Sequence, residues 1–187
     1  MFFPVAGALV LAWILYARFG TKPVPSSAPP EVVSRLLIIK ESRLHQIDST
    51  EPFMGWMLET NAFGGLQSRS FVSNGFLEGV SEGFFTNGQR QVLEHFRAGV
   101  SHGKRTKWHP NGVRASEATV VQGRLHDRFL AWHEDGSLAQ EVLMKEGQPH
   151  GRSRSFYPSG YLKAESMVLE GKVTEQHFWE EGERRNP

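Results

Sequence analysis

The chain has 187 residues, with 21 Lys and Arg against 20 Asp and Glu, for a formal net charge of +1. So even a balance argues against a polyanion-binding protein, and no nucleic-acid partner is expected. Without cysteine there is no disulfide, no thiolate nucleophile and no Cys-type zinc site.

The first stretch, Phe2 to Ala17, is apolar and uncharged, and Arg18 and Lys22 come after it. Its length sits at or just below the minimum for spanning a bilayer, about 17–25 residues. Trp13 and Tyr16 suit a membrane interface. Residues 1–20 are therefore expected to form a single-pass N-terminal transmembrane anchor, with a cleaved signal peptide as the alternative. Against cleavage, no basic residue precedes the apolar run, and the A-x-A-like Ser26-Ser27-Ala28 runs into Pro29. The expected location is the cell-envelope membrane. The extracytoplasmic side is preferred, although Arg18 and Lys22 pull the C-terminal side toward the cytoplasm.

Residues 21–30 contain Pro23, Pro25, Pro29 and Pro30, which reads as an extended linker. Residues 31–50, with "RLLIIKESRLHQ", are expected to be a degenerate capping hairpin, since terminal repeats face solvent on one side. Residues 51–187 form the repeat domain, opened by Gly55 and Gly64 in register with the glycines of the later units.

Three glycine series run through that domain in phase. Gly88, Gly112, Gly136 and Gly160 recur every 24 residues, behind Asn87, Asn111, Asp135 and Ser159. Gly75, Gly99, Gly123, Gly147 and Gly171 keep the same period, and Gly79, Gly103 and Gly151 lie four residues after members of that series. A fixed period of this length marks a repeat architecture. Asn-Gly between two short runs predicts a hairpin with a type I′ turn, φ > 0 at both central residues. The return turns are expected to be the longer "GVSHG" (Gly99 to Gly103) and "GQPHG" (Gly147 to Gly151). The fold class is all-β: an elongated antiparallel meander of about six hairpin repeats after the N-terminal helix.

Counting across a two-residue turn sets Trp108 opposite Ala115, Trp132 opposite Ala139 and Phe84 opposite Gln91. It also sets Glu117 opposite Thr106, Glu141 opposite Leu130 and Glu165 opposite Arg154. Phe84, Trp108, Trp132, Phe156 and Phe178 form one aromatic column. One face carries Trp108, Trp132, Leu130 and Leu143, the other Phe129, Val142, Met144 and His133.

The unit G-x-x-x-G, an aromatic, N/D-G and a Glu-containing strand resembles the MORN-repeat variant found in many bacterial proteins. The resemblance covers Gly55 to Gly182, departs at Asp127 and Glu175, and has a last unit two residues short. It implies a β-hairpin repeat sheet. Members are often labelled as the antitoxin of a toxin–antitoxin pair, so the resemblance also implies neutralisation of a cognate toxin.

No catalytic, cofactor or metal site is expected. "GVSHGKRT" is explained by the repeat rather than by phosphate binding. His102, His126 and His150, like His109 and His133, stand in columns about 10 Å apart, too far to share one ion. Glu117, Glu141 and Glu165 lie on a repeating surface rather than around a cleft, with Lys104, Arg128 and Arg152 as a parallel basic column. What remains is a candidate interaction surface of Trp108, Trp132, Phe156, Tyr157, Lys104, Arg128 and Arg152. The function expected is a non-catalytic, membrane-tethered scaffold for an unidentified protein partner. The alternatives are an antitoxin and an anionic-lipid-binding module.

Overall fold

A computed structural model describes residues 28–169 and 171–184. Its strands are β1 (Glu31–Val33), β2 (Leu37–Lys40), β3 (Arg43–Gln46), β4 (Gly55–Thr60), β5 (Leu66–Ser73), β6 (Phe76–Phe84), β7 (Arg90–Arg97), β8 (Val100–Ser101), β9 (Gly103–Trp108), β10 (Arg114–Val121), β11 (Arg124–Trp132), β12 (Leu138–Lys145), β13 (Gln148–Phe156), β14 (Leu162–Leu169) and β15 (Lys172–Phe178). From β4 on, the strands succeed one another across a 13-stranded sheet in chain order, with β8 beside β7. All the pairs are antiparallel except β1, which lies parallel to β4 at the N-terminal edge. The hairpin meander is thus the observed architecture.

The two kinds of turn are the reverse of expectation. At the Asn-Gly corners only the glycine is left-handed: Gly88, Gly112, Gly136 and Gly160 have φ of 82°, 83°, 87° and 83°, while Asn87, Asn111 and Asp135 do not join them. Gly112 N–H donates to His109 O at 2.9 Å and His109 N–H to Val113 O at 2.8 Å. That is a three-residue loop, an ordinary turn closed by a left-handed glycine. Asn and Asp are selected there as side-chain acceptors. Asn111 Oδ1 takes the Val113 N–H at 3.0 Å and Asp135 Oδ1 the Ser137 N–H at 2.8 Å.

The two-residue turns lie at the other end of the strands. Asn74-Gly75, Ala98-Gly99, Gln122-Gly123 and Glu146-Gly147 all have φ > 0 at both positions, with Gln122 at 50° and Gly123 at 78°. Val121 accordingly pairs with Arg124 and Lys145 with Gln148. The five-residue return loops are therefore shorter than expected. Gly79 (φ 70°) and Gly151 (φ 80°) instead sit inside strands where the register slips, and Asp127 adopts the same conformation at φ 59°.

The longer corner loop also corrects the nearest pairings. Trp108 faces Arg114, Trp132 faces Leu138 and Phe84 faces Arg90, not Ala115, Ala139 and Gln91. A bulge just beyond restores the count. Glu117–Thr106, Glu141–Leu130 and Glu165–Arg154 then pair as expected.

Within residues 31–50, β2 and β3 form a separate two-stranded sheet around Glu41 and Ser42. Leu44 N–H donates to Gly75 O and Phe53 N–H to Leu44 O, tying this hairpin to the main sheet. Val32, Phe53 and Val72 are buried there against Leu37, Leu44, Met57 and Leu77. Further along, Ala118, Val120, Val142 and Val168 are buried on the sheet itself.

The expected single-pass membrane location is corrected: among the described residues no helix is long and apolar enough to cross a membrane. The segment 1–20, read as anchor or signal helix, lies outside the described residues, as do 21–27 of the linker.

Gly112→Val should destabilise the fold by more than about 1 kcal/mol in urea denaturation, because it forces a β-branched residue to φ > 0. Lys107→Ala should be nearly silent. Gln122→Asn should stabilise by about 0.5 kcal/mol, since Asn tolerates the left-handed conformation that Gln122 already holds.

Candidate interaction face

Directly opposed residues in an antiparallel sheet share a face. Tracing the register from strand to strand therefore sorts the side chains. Thr106, Glu117, Leu130, Glu141, Arg154, Glu165 and His177 form one row across β9 to β15. Two residues to one side of it stand Trp108 and Trp132, and two to the other stand Lys104 and Arg128. Leu143 joins this face opposite Arg128, while Phe129 and Val142 oppose one another on the reverse. For Trp108, Trp132, Leu130, Leu143, Phe129 and Val142 the two-face sorting agrees with expectation.

The candidate residues are not equally available. Trp108 and Trp132 are half-buried, and Lys104, Arg128 and Arg152 are exposed. Phe156 is only 3% exposed and so belongs to the packing. Tyr157, next in the chain, donates its hydroxyl to Trp179 O at 3.2 Å. The Trp rings are held by guanidinium groups: Arg90 lies 5.6 Å from the Trp108 centroid and Arg114 5.2 Å from that of Trp132.

The basic and acidic columns answer each other. Lys104 Nζ lies 2.8 Å from Glu117 Oε1, and Arg114 Nη1 lies 3.2 Å from Glu117 Oε2. Glu141 is gripped twice, by Arg128 at 2.5 Å and Arg154 at 2.6 Å. Arg152 reaches Glu165 at 3.8 Å. Each exposed pair adds about 0–1 kcal/mol to stability at most, and because Glu117 and Glu141 are each shared by two cations, the paired groups keep a residual positive charge.

Sequence reasoning missed a ladder along the corners. His109 Nε2 bonds Trp132 O at 2.9 Å and His133 Nε2 bonds Phe156 O at 3.0 Å, each one repeat further on. With a carbonyl as acceptor, each ring nitrogen must carry the proton. Asn111 Nδ2 likewise donates to Glu134 O at 2.8 Å, and Asn87 Nδ2 to Pro110 O at 3.3 Å. The signal was there: polar side chains of matching reach at 109, 133 and 157. Of the turn histidines, His126 pairs with its neighbour Asp127 at 3.0 Å. No group of three or more His, Cys, Asp or Glu able to hold a metal ion occurs among the described residues.

At the third corner the Asp135 carboxyl is held below its ordinary range. The Ser137 hydroxyl donates to it at 2.6 Å, and the Ser137 N–H is second in weight.

Residues 101–122 match the family model described as MORN repeat variant, a span running from Ser101 through the Asn111-Gly112 corner to Gln122. No curated protein matches the chain. Among solved structures the chain is similar to TarM, at 15% identity and a TM-score of 0.34, over 52% of this chain and 19% of that one. A mutant of S. aureus TarM in complex with Fondaparinux, alpha-GlcNAc-glycerol and UDP is similar at 14% identity and the same TM-score, over 51% and 19%. The chain thus spans about a fifth of the length of those structures.

His133→Ala should cost about 1 kcal/mol in urea denaturation by leaving Phe156 O without its donor. Ser137→Ala should raise the Asp135 pKa in a carboxyl NMR titration. Because the native corner lowers that pKa, its stabilising contribution is present above the usual carboxylate range and is lost as pH falls through the folded value.

Proposed function

We propose that this chain, one unit of which matches the MORN repeat variant, is a non-catalytic scaffold that binds a protein partner through the face carrying Trp108 and Trp132. The carrying observation is the state of those two rings. Both are half-buried, and both are fixed by an arginine above the ring. Aromatic and Arg side chains ordered before binding lose little freedom on docking, and such residues dominate interface energies.

The surrounding charges favour a protein over a membrane surface. Lys104, Arg128 and Arg152 are each turned onto a glutamate of the same face, whereas a site for anionic lipid would aim its cations outward, free of carboxylates. The same pairs form a polar surround to the aromatic centre, as at many protein interfaces.

The test is comparative affinity capture with the full chain, its Lys107→Ala variant and the double variant Trp108→Ala/Trp132→Ala, with melting curves for all three. The expected result is one set of partners held by the first two and weakened at least about tenfold by the third. Equal capture by a folded double variant would remove this reading, as would turnover in a broad hydrolase screen.

A further inference from the structure

Among the described residues, side chains tie each corner to the next except at one gap. From the first loop position His109 and His133 reach the carbonyls of Trp132 and Phe156, 23 residues on. From the third position Asn87 and Asn111 reach those of Pro110 and Glu134, again 23 residues on. The loop Asn61 to Gly65 closes as the later corners do, with Asn61 N–H on Gly65 O at 2.8 Å and Gly64 N–H on Asn61 O at 3.0 Å. Its side-chain chemistry is rearranged. The third position is Phe63, which is 98% exposed and has no amide to send toward Thr86. The acceptor has moved to the first position, where Asn61 Oδ1 takes the N–H groups of Phe63 and Gly65 at 2.9 Å each. Asn61 makes no tie onward to Phe84. In the gap where both ties are missing lies a cavity of about 380 Å³, between this loop and the corner Phe85 to Gln89.

We propose that this cavity binds a neutral saccharide. Its volume falls within the range of small-molecule sites, about 300–1,000 Å³. Leu66, Phe84 and Phe85 give it apolar walls, and none of its lining residues is charged. The side chains of Gln67, Thr86 and Gln91 also line it, and none of the three makes a hydrogen bond to another described residue. A charged ligand would find no counter-charge there and would lose hydration without compensation. A wholly apolar ligand would cover the free amides and hydroxyl and leave them unpaired. A sugar ring meets both conditions. Its C–H face lies against the negative face of an aromatic ring, and its hydroxyls, each donor and acceptor, match amides that do both. An extended peptide is recognised through free main-chain groups along a strand, whereas here the main chain on both sides is bonded within its own turn.

The cavity is lined by neither Trp108 nor Trp132, so either proposal can fail alone. The test is an NMR titration of the full chain in a polyoxyethylene detergent, which carries no sugar. The probes are maltotetraose, cellotetraose and the N-acetylglucosamine tetramer, with tetragalacturonate as the anionic counterpart. At least one neutral probe should shift the Gln67 and Gln91 side-chain amide signals saturably, and tetragalacturonate should bind at least about tenfold more weakly. Gln67→Ala and Gln91→Ala, both at exposed positions, should each weaken that binding at least about threefold, while Lys107→Ala leaves it unchanged. No saturable shift with any neutral probe up to about 10 mM would overturn the proposal, being weaker than a specific site of this kind. Equal binding of tetragalacturonate, or unchanged affinity in a folded Gln67→Ala/Gln91→Ala double variant, would also overturn it.

Discussion

The structure depends on a backbone that enters the left-handed region at every reversal. Apart from the docked β2–β3 hairpin, no second layer covers this sheet among the described residues, so most of its strands are held by their neighbours alone. At the two-residue turns the left-handed pair does more than reverse the chain. It aims the glycine N–H at the preceding unit: Gly99 bonds Leu77 O, Gly123 bonds Ser101 O and Gly147 bonds Leu125 O, each at 2.8 Å. The turn is therefore also the lace between hairpins. Ala98, Gln122 and Glu146 accept a conformation unfavourable to L-residues because the pairing on either side over-determines it.

At the opposite end side chains make the equivalent tie. His109 and His133 reach a backbone carbonyl one unit on, and Asn87 and Asn111 do the same from the corner tips. Two ends laced by different chemistry explain how a sheet with few fully buried residues keeps one register. Slippage by one residue would break both sets of bonds and swap the faces. The charged row adds to this selectivity more than to stability, since Glu141 can meet Arg128 and Arg154 together only in the observed register.

Much of this was legible in the sequence. Three glycine series at one period specified the meander, and cross-strand counting placed Glu117, Glu141 and Glu165 correctly. The turn chemistry was not legible, for a physical reason. Asn-Gly satisfies two different loops, one using the left-handed tolerance of Asn and the other its side-chain oxygen, and local sequence does not choose between them. The deciding contact was Asn111 to Glu134 O, a neighbour 23 residues away. Gln122 and Glu146 carry no turn signal of their own, so the two-residue turns were hidden behind ordinary residues. Phe156 illustrates the same limit at the candidate face. It has the column position of Trp132, yet it is buried against Leu162 at the end of the regular repeats.

A periodic sheet presents nearly the same surface at every unit, so whatever it recognises must be distinguished where the period varies. The aromatic column does vary: Phe84, Trp108, Trp132 and Phe156 share a position, but only the middle two combine a large ring with a stacked arginine from the strand before. A uniform column would let a partner bind in several registers shifted by one repeat. On the proposed reading, two tryptophans flanked by phenylalanines would make the central setting unique, in the way that one polar residue in a regular interface fixes alignment.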